Sequence, residues 1–401
     1  MKILKIFLLI FFATNIGFAQ KQYTGQSIED ILKLPEKDIS ISIVTLVLAK
    51  EFYPNMNVPF FLEAFDYLAD RFNYYFGKYT DPNDIIAALN TYLYKPGYWN
   101  DNITFCYDDD DLQVTKLDNK FINGYISSKK GSCITMPMLY IILGEKLNIP
   151  LKPVRSAKHF FVRYEPEGIK LNFQHNIEAT NGGGFISDDE YQESVLIPDK
   201  AIKNGVYLRT LTKKEYIASL LLTNANEYIH NKNIEKAKHY YKLAMKYDPT
   251  FSSAYMNYGM TLFGEAQQLE EKMWNEKQEA IKQISSVYIP KQPLPDIPKP
   301  KTEIVFESES QKLMNNLGYK PKVQSDYATT QTSASLEQQL VIEARLNAIE
   351  EKYKPAILAK IAEYKKYTGK AKELGIVLEF PLQFFQKQAE SIKQYRENGG
   401  Y

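Results

Sequence analysis

Residues 131–150 read GSCITMPMLYIILGEKLNIP. The apolar run from Ile134 to Leu147 leaves little polar face, so it reads as one buried helix over 133–148, ended by Asn148-Ile149-Pro150. Pro137 limits where that helix begins. Proline is tolerated only in a first turn, which puts the start near Ile134 or Thr135. Cys133 then stands at or just before the helix N-terminus, a position that favours a thiolate. The only other cysteine is Cys106. Three readings are open for Cys133: a nucleophile, half of a disulfide with Cys106, or a small buried thiol.

Beyond the helix the apolar pattern changes to period two. Residues 152–155 form a possible strand, 159–164 (HFFVRY) alternate, and 165–168 (EPEG) read as a turn. Residues 169–177 (IKLNFQHNI) alternate again, with Ile169, Leu171, Phe173 and Ile177 on one face, and 181–184 (NGGG) close the unit. A tight turn at 165–168 pairs Tyr164 with Ile169 and sets His159 opposite Gln174. The face of His159 then carries Asn172, Asn176 and Glu178, while His175 points to the other face as a partly buried structural residue. The two remaining histidines, His230 and His239, fall in later helices. A cysteine nucleophile needs an imidazole to hold its proton, and the imidazole needs a third group to fix its ring. His159 is the candidate base, and Glu178 or Asn176 the candidate orienting group. The backbone N–H of Cys133 is a natural oxyanion donor. The plainer alternatives are a satisfied structural histidine and strand-end hydrogen bonding by Asn176 and Glu178.

Upstream, residues 40–53, 60–76 and 83–93 carry apolar side chains at spacings of three and four and read as helices. Residues 100–118 are polar and loop-like. Within them Asp108 to Asp111 lack the spaced ligands and glycine of a calcium loop, so they read as a solvated loop rather than a metal site. From Thr212 the pattern is helical again, and a tetratricopeptide-like frame can be counted back from Pro249. Ala225, Tyr228, Ala237, Tyr241 and Ala244 fill its small and large positions, although Asn224 departs from it. A second unit begins with Tyr255, Tyr258, Gly259 and Leu262 and loses the pattern at Glu271.

The stretch from Lys129 to Gly183, with the order Cys133, His159 and NIEAT at 176–180, resembles the bacterial SirB-type transglutaminase-like domains. The resemblance extends over about residues 40–262 and includes LAKEFYP at 48–54. It implies a papain-like core after a helical N-terminal part, followed by tetratricopeptide repeats. Glu178 takes the place of the usual aspartate by that match, with Asn176 as the amide alternative. The implied activity is a cysteine-dependent hydrolase or acyltransferase acting on amide groups of a protein or peptide, without a cofactor. Its rival is a non-catalytic envelope scaffold that binds protein partners through the repeats.

The whole chain is compatible with this. With 401 residues, 44% hydrophobic and 24% charged, it is large enough for several cored units. A net charge of +1, from 49 basic and 48 acidic residues, gives no basic footprint for nucleic acid or an anionic membrane surface. Residues 1–19 have the charged start, short apolar run and small residues of a signal peptide, which predicts an exported, periplasmic or secreted protein with no stable membrane span. The expected fold class is α+β. A helical part (20–118) leads into a transglutaminase-like core with a small antiparallel sheet (119–211). Tetratricopeptide-like helices (212–285), a Pro/Lys-rich and polar linker (286–335) and C-terminal helices (336–401) follow, the last as long helices over 336–367 and 381–395.

Overall fold

The computed structural model describes residues 26–171, 175–288 and 336–377. The expected signal segment, most of the 286–335 linker, the helix expected at 381–395, and Asn172, Phe173 and Gln174 lie outside these residues. Among the described residues the chain divides at Thr223/Asn224 into two compact units.

The first unit is α+β. Its helices are α1 (Ile28–Lys33), α2 (Ile41–Lys50), α3 (Val58–Phe76), α4 (Pro82–Tyr94), α5 (Ile122–Ser128) and α6 (Thr135–Leu147). Sequence chemistry sets their starts. Asn57 caps α3 through the Phe60 N–H with Pro59 in the first turn, and Asp81 caps α4 through the Asn83 N–H at 2.8 Å, just ahead of Pro82. On α6, every residue from Thr135 to Gly144 is buried. Such a helix forms the centre of a core, and α6 packs against α2, α3 and α5 on one side and the sheet on the other.

That sheet is four-stranded and antiparallel, in the order β3 (Leu151–Ser156), β4 (His159–Tyr164), β5 (Asn176–Glu178), β6 (Gly184–Ile186). A separate parallel pair joins β1 (Cys106–Tyr107) to β2 (Lys130–Gly131). Strands β3 and β4 meet in a tight hairpin with Ser156 opposite His159 and Lys158 left-handed at φ 51°. The β4–β5 pairing differs from the tight turn expected at 165–168. Arg163 pairs with Asn176, and the Tyr164 N–H donates to His175 O at 2.8 Å, so Ile169 is not the partner of Tyr164 and is 42% exposed. Arg163 sets this register by donating from Nε to Asn176 Oδ1 at 2.7 Å and from Nη2 to Asp188 Oδ1 at 2.6 Å. The slip from Ile169 to His175 is an even number of residues, so Asn176 and Glu178 keep the face of His159. The short helices α7 (Asp188–Ser194) and α8 (Asp199–Lys203) follow the sheet.

The boundary between the units falls within α9 (Lys213–His230). In the second unit, α10 (Ile234–Tyr247) buries Ala237, Tyr241 and Ala244, and the Tyr241 hydroxyl donates to Asn226 Oδ1 at 2.8 Å. Helix α11 (Ser252–Tyr288) continues unbroken through Glu271 as a 37-residue helix. It runs antiparallel to α12 (Leu336–Leu374), itself continuous through Pro355. Tyr258 meets Tyr367, Glu265 pairs with Lys360, and Glu276 with Lys352, which fixes the opposed directions.

Candidate active site

Cys133 occupies the turn between β2 and α6 and is partly exposed. Ser132, fully buried, holds that turn from both sides. Its N–H donates to Thr135 Oγ1 at 3.0 Å, its hydroxyl oxygen accepts the Ile134 N–H at 3.0 Å, and the hydroxyl donates to Asn119 O at 2.7 Å. Gly131 is needed for close approach, since a Cβ there would stand 2.6 Å from the Tyr125 ring. Ser132→Ala leaves the Asn119 carbonyl and the Ile134 N–H without this partner. A loss of about 1–3 kcal/mol is expected from the buried groups left unmade, read from urea unfolding. A variant as stable as the wild type would show that the turn holds without the clamp.

Asn119 joins the turn to the aspartate run. Its amide donates to Asp108 Oδ2 and Asp111 Oδ2, both at 2.8 Å. Asp111 also takes the Thr115 N–H at 2.7 Å, and Asp108 pairs with Lys116 Nζ at 2.8 Å. Residues 108–111 are therefore not the solvated loop expected from their charge: Asp108 and Asp111 are buried, and only Asp109 and Asp110 face water. Burial would raise the carboxyls of Asp108 and Asp111, but these partners hold both below the usual range.

His159, the first residue of β4, is 4% exposed. Its Nε2 lies 2.7 Å from Glu178 Oε2, and Cys133 is near enough to add to the pull on its proton. Burial works against an imidazolium here. The Glu178 carboxylate and the Cys133 contact outweigh it and raise the histidine to about 10. Burial likewise opposes the Glu178 charge, which the His159 charge and hydrogen bonds from His159, Thr180 and Tyr191 hold below its usual range. A charged His159 carries protons on both ring nitrogens, so Nε2–H donates to Glu178.

The structure thus brings Cys133, His159 and Glu178 together. Asn176 shares the face but turns elsewhere: Oδ1 accepts from Arg163, and Nδ2 donates to Asp188 Oδ1 at 2.8 Å. His175 is exposed rather than partly buried, with Nδ1 3.0 Å from Tyr164 O. No disulfide joins Cys106 to Cys133. Among the described residues no group of side chains is arranged to hold a metal ion, and no helix is long and apolar enough to cross a membrane.

Two further tyrosines belong to the site. Tyr107 of β1 is buried, and its phenol is pushed up by burial and then by the charges of Cys133, Asp109 and Glu178. Tyr191 of α7 donates its hydroxyl to Glu178 Oε2. Neither is marked in the sequence. Tyr107 precedes the aspartate run, and Tyr191 sits in DDEYQES, whose composition is that of a solvated helix.

Cys133 just ahead of a helix, His159 at the head of a strand and Glu178 on the next strand thus lie within one part of the first unit. In agreement, residues 60–221 match the Transglutaminase-like superfamily, and the chain carries a transglutaminase-like domain over that range. No curated protein and no solved structure matches it.

Proposed function

We propose that the protein is an exported, SirB-type transglutaminase-like thiol hydrolase or acyltransferase acting on amide groups of proteins or peptides. The observation that carries this reading is the His159–Glu178 pair with Cys133 beside it, drawn from three separate elements. The reaction starts from the form in which His159 holds the proton and the attacking sulfur is ionised. Sulfur attacks the amide carbonyl carbon, and the C=O electron pair moves to oxygen. The backbone N–H of Cys133 is the donor available to that oxyanion. As the tetrahedral centre collapses, the C–N bond breaks and His159 passes its proton to the leaving nitrogen. The acyl group stays on sulfur as a thioester. Water or an amine then gives its proton to His159 while attacking the thioester, which releases the acid or the new amide and restores the ion pair. Glu178 holds the ring and offsets its charge throughout.

Helices α9 and α10 are read as a tetratricopeptide-like pair that binds a protein or peptide partner. Ala225, Tyr228, Ala237, Tyr241 and Ala244, all buried, support that reading. Turnover tests the chemistry: incorporation of a fluorescent primary amine into casein, and release of new amino groups from it. Wild-type protein is expected to catalyse at least one of the two, and Cys133→Ala neither. Equal turnover by both proteins overturns the proposal. A mature N-terminus at Gln20 in an exported fraction tests the signal segment.

A further inference from the structure

Glu178 meets more donors than a histidine partner requires. Oε1 accepts the Thr180 N–H at 2.9 Å and the Thr180 hydroxyl at 2.6 Å. Oε2 is shared between His159 Nε2 at 2.7 Å and the Tyr191 hydroxyl. A carboxylate has about four acceptor positions, so these donors saturate it. The Thr180 bonds come from the turn that Glu178 itself begins, and the His159 bond comes from the neighbouring strand. Only the Tyr191 bond comes from outside the sheet, on α7.

Tyr191 is held for this contact. It is 3% exposed, and its ring stacks on Phe161 at 4.1 Å and 13°. Phe161 lies two residues along β4 from His159, on the same face, so the strand that carries the histidine also seats the tyrosine. Burial and then the Glu178 charge keep the phenol protonated far beyond its ordinary range, and it remains a donor.

We propose that Tyr191 is a positioning residue: its hydroxyl fixes the Glu178 carboxylate against His159 and draws off part of its charge, which sets how firmly the imidazole holds its proton. The proposal rests on Cys133, His159 and Glu178 acting together in acyl transfer. A general acid is most effective when its proton is not bound too tightly for the working pH. Without the hydroxyl, Oε2 directs all its electron density at His159, and the imidazolium gives up its proton less readily to a leaving amine.

The titratable groups around the carboxylate are few. His159 reaches it from β4, Tyr191 from α7, Tyr107 from β1 through its field, and Cys133 from ahead of α6. Asp188, also on α7, is engaged by Arg163 and Asn176. Replacing Tyr191 by phenylalanine therefore deletes one hydrogen bond to Glu178 and leaves the ring stack in place.

The test is a titration of the histidine imidazoles by ¹H–¹⁵N NMR in the full chain, with His159 assigned by its loss in His159→Ala. In Tyr191→Phe the His159 midpoint is expected to rise by about half a pH unit or more, for a hydrogen bond whose loss passes in part to its neighbour. Site-specific 3-fluorotyrosine in place of Tyr191 is a stronger donor with an unchanged ring and is expected to lower it. The fluorinated protein decides the matter if Tyr191→Phe fails to fold. An unshifted midpoint, or shifts of the opposite sign, overturn the proposal. If His159→Ala leaves the reactivity of Cys133 unchanged, it is the catalytic reading that fails instead.

Discussion

Iodoacetamide at pH 6 is expected to label Cys133 in His159→Ala at least about tenfold more slowly than in the wild-type protein. An ordinary thiol with a pKa of about 8.5 is only about 0.3% thiolate at pH 6, whereas a thiol paired with an imidazolium is largely ionised there. That factor of about 300 is not gained in full, because a thiolate stabilised by a neighbouring charge is also a weaker nucleophile. The sign and window follow from the charges. His159 holds its proton from acid pH up to about 10. Glu178, held below its usual range, stays ionised into mildly acidic solution. The His159-dependent rate is thus expected through neutral pH and to fade at high pH as His159 loses its proton. Mapping the labelled peptide separates Cys133 from Cys106. Equal pH 6 rates in the two proteins would mean that the imidazole contributes nothing to the thiol.

The second large effect is expected at a glycine outside the three candidate site residues. Gly183 has φ 78°, and a Cβ on it would stand 2.3 Å from the Asn90 side chain. Asn90 is already committed: its amide donates to Gly183 O at 2.8 Å, and its Oδ1 accepts the hydroxyl of Tyr140 at 2.7 Å. Tyr140 is fully buried. Gly183→Val is expected to cost about 1–2 kcal/mol for a left-handed β-branched residue. Displacing Asn90 adds about 1–3 kcal/mol for the part-buried hydrogen bond from Tyr140 that it breaks. The sum, about 3 kcal/mol, is a large fraction of the stability of an ordinary domain. Urea unfolding reads it directly. Gly168 is also left-handed, at φ 69°, but has open space around it, so Gly168→Ala isolates the conformational part alone. Because the Gly183 N–H donates to Glu178 O at 3.0 Å, the substitution also loosens the strand end that carries the carboxylate. Equal losses at the two glycines would mean that the Asn90 contact is immaterial.

What the sequence disclosed follows from which physical rule governed each residue. Proline chemistry located the start of α6, because Pro137 admits only a first-turn position, and the helix begins at Thr135. Strand parity separated His159 from His175 even though the register was misjudged, since an even slip preserves faces. Parity could not choose between Asn176 and Glu178, which share a face; their distances along β4 decide, and those depend on Arg163, whose partners Asn176 and Asp188 carry no local signal. Buried Asp108 and Asp111 were hidden for a related reason. Four consecutive acids look solvated until Lys116 and Asn119, from the next turn of chain, come back over them. Tyr191 was illegible because its helix is polar by composition and its one buried face is set by stacking on a strand far back in the sequence.

The way β4 and β5 are joined has a practical consequence. Arg163 and Asn176, rather than the turn at Glu165 to Gly168, determine which residues of the two strands face each other. Glu165 is tied back to Pro150 O and to Thr210, but Gly168 has open space around it, so an epitope or fluorophore spliced in at Gly168 is expected to leave the thiol, the imidazole and the carboxylate in place.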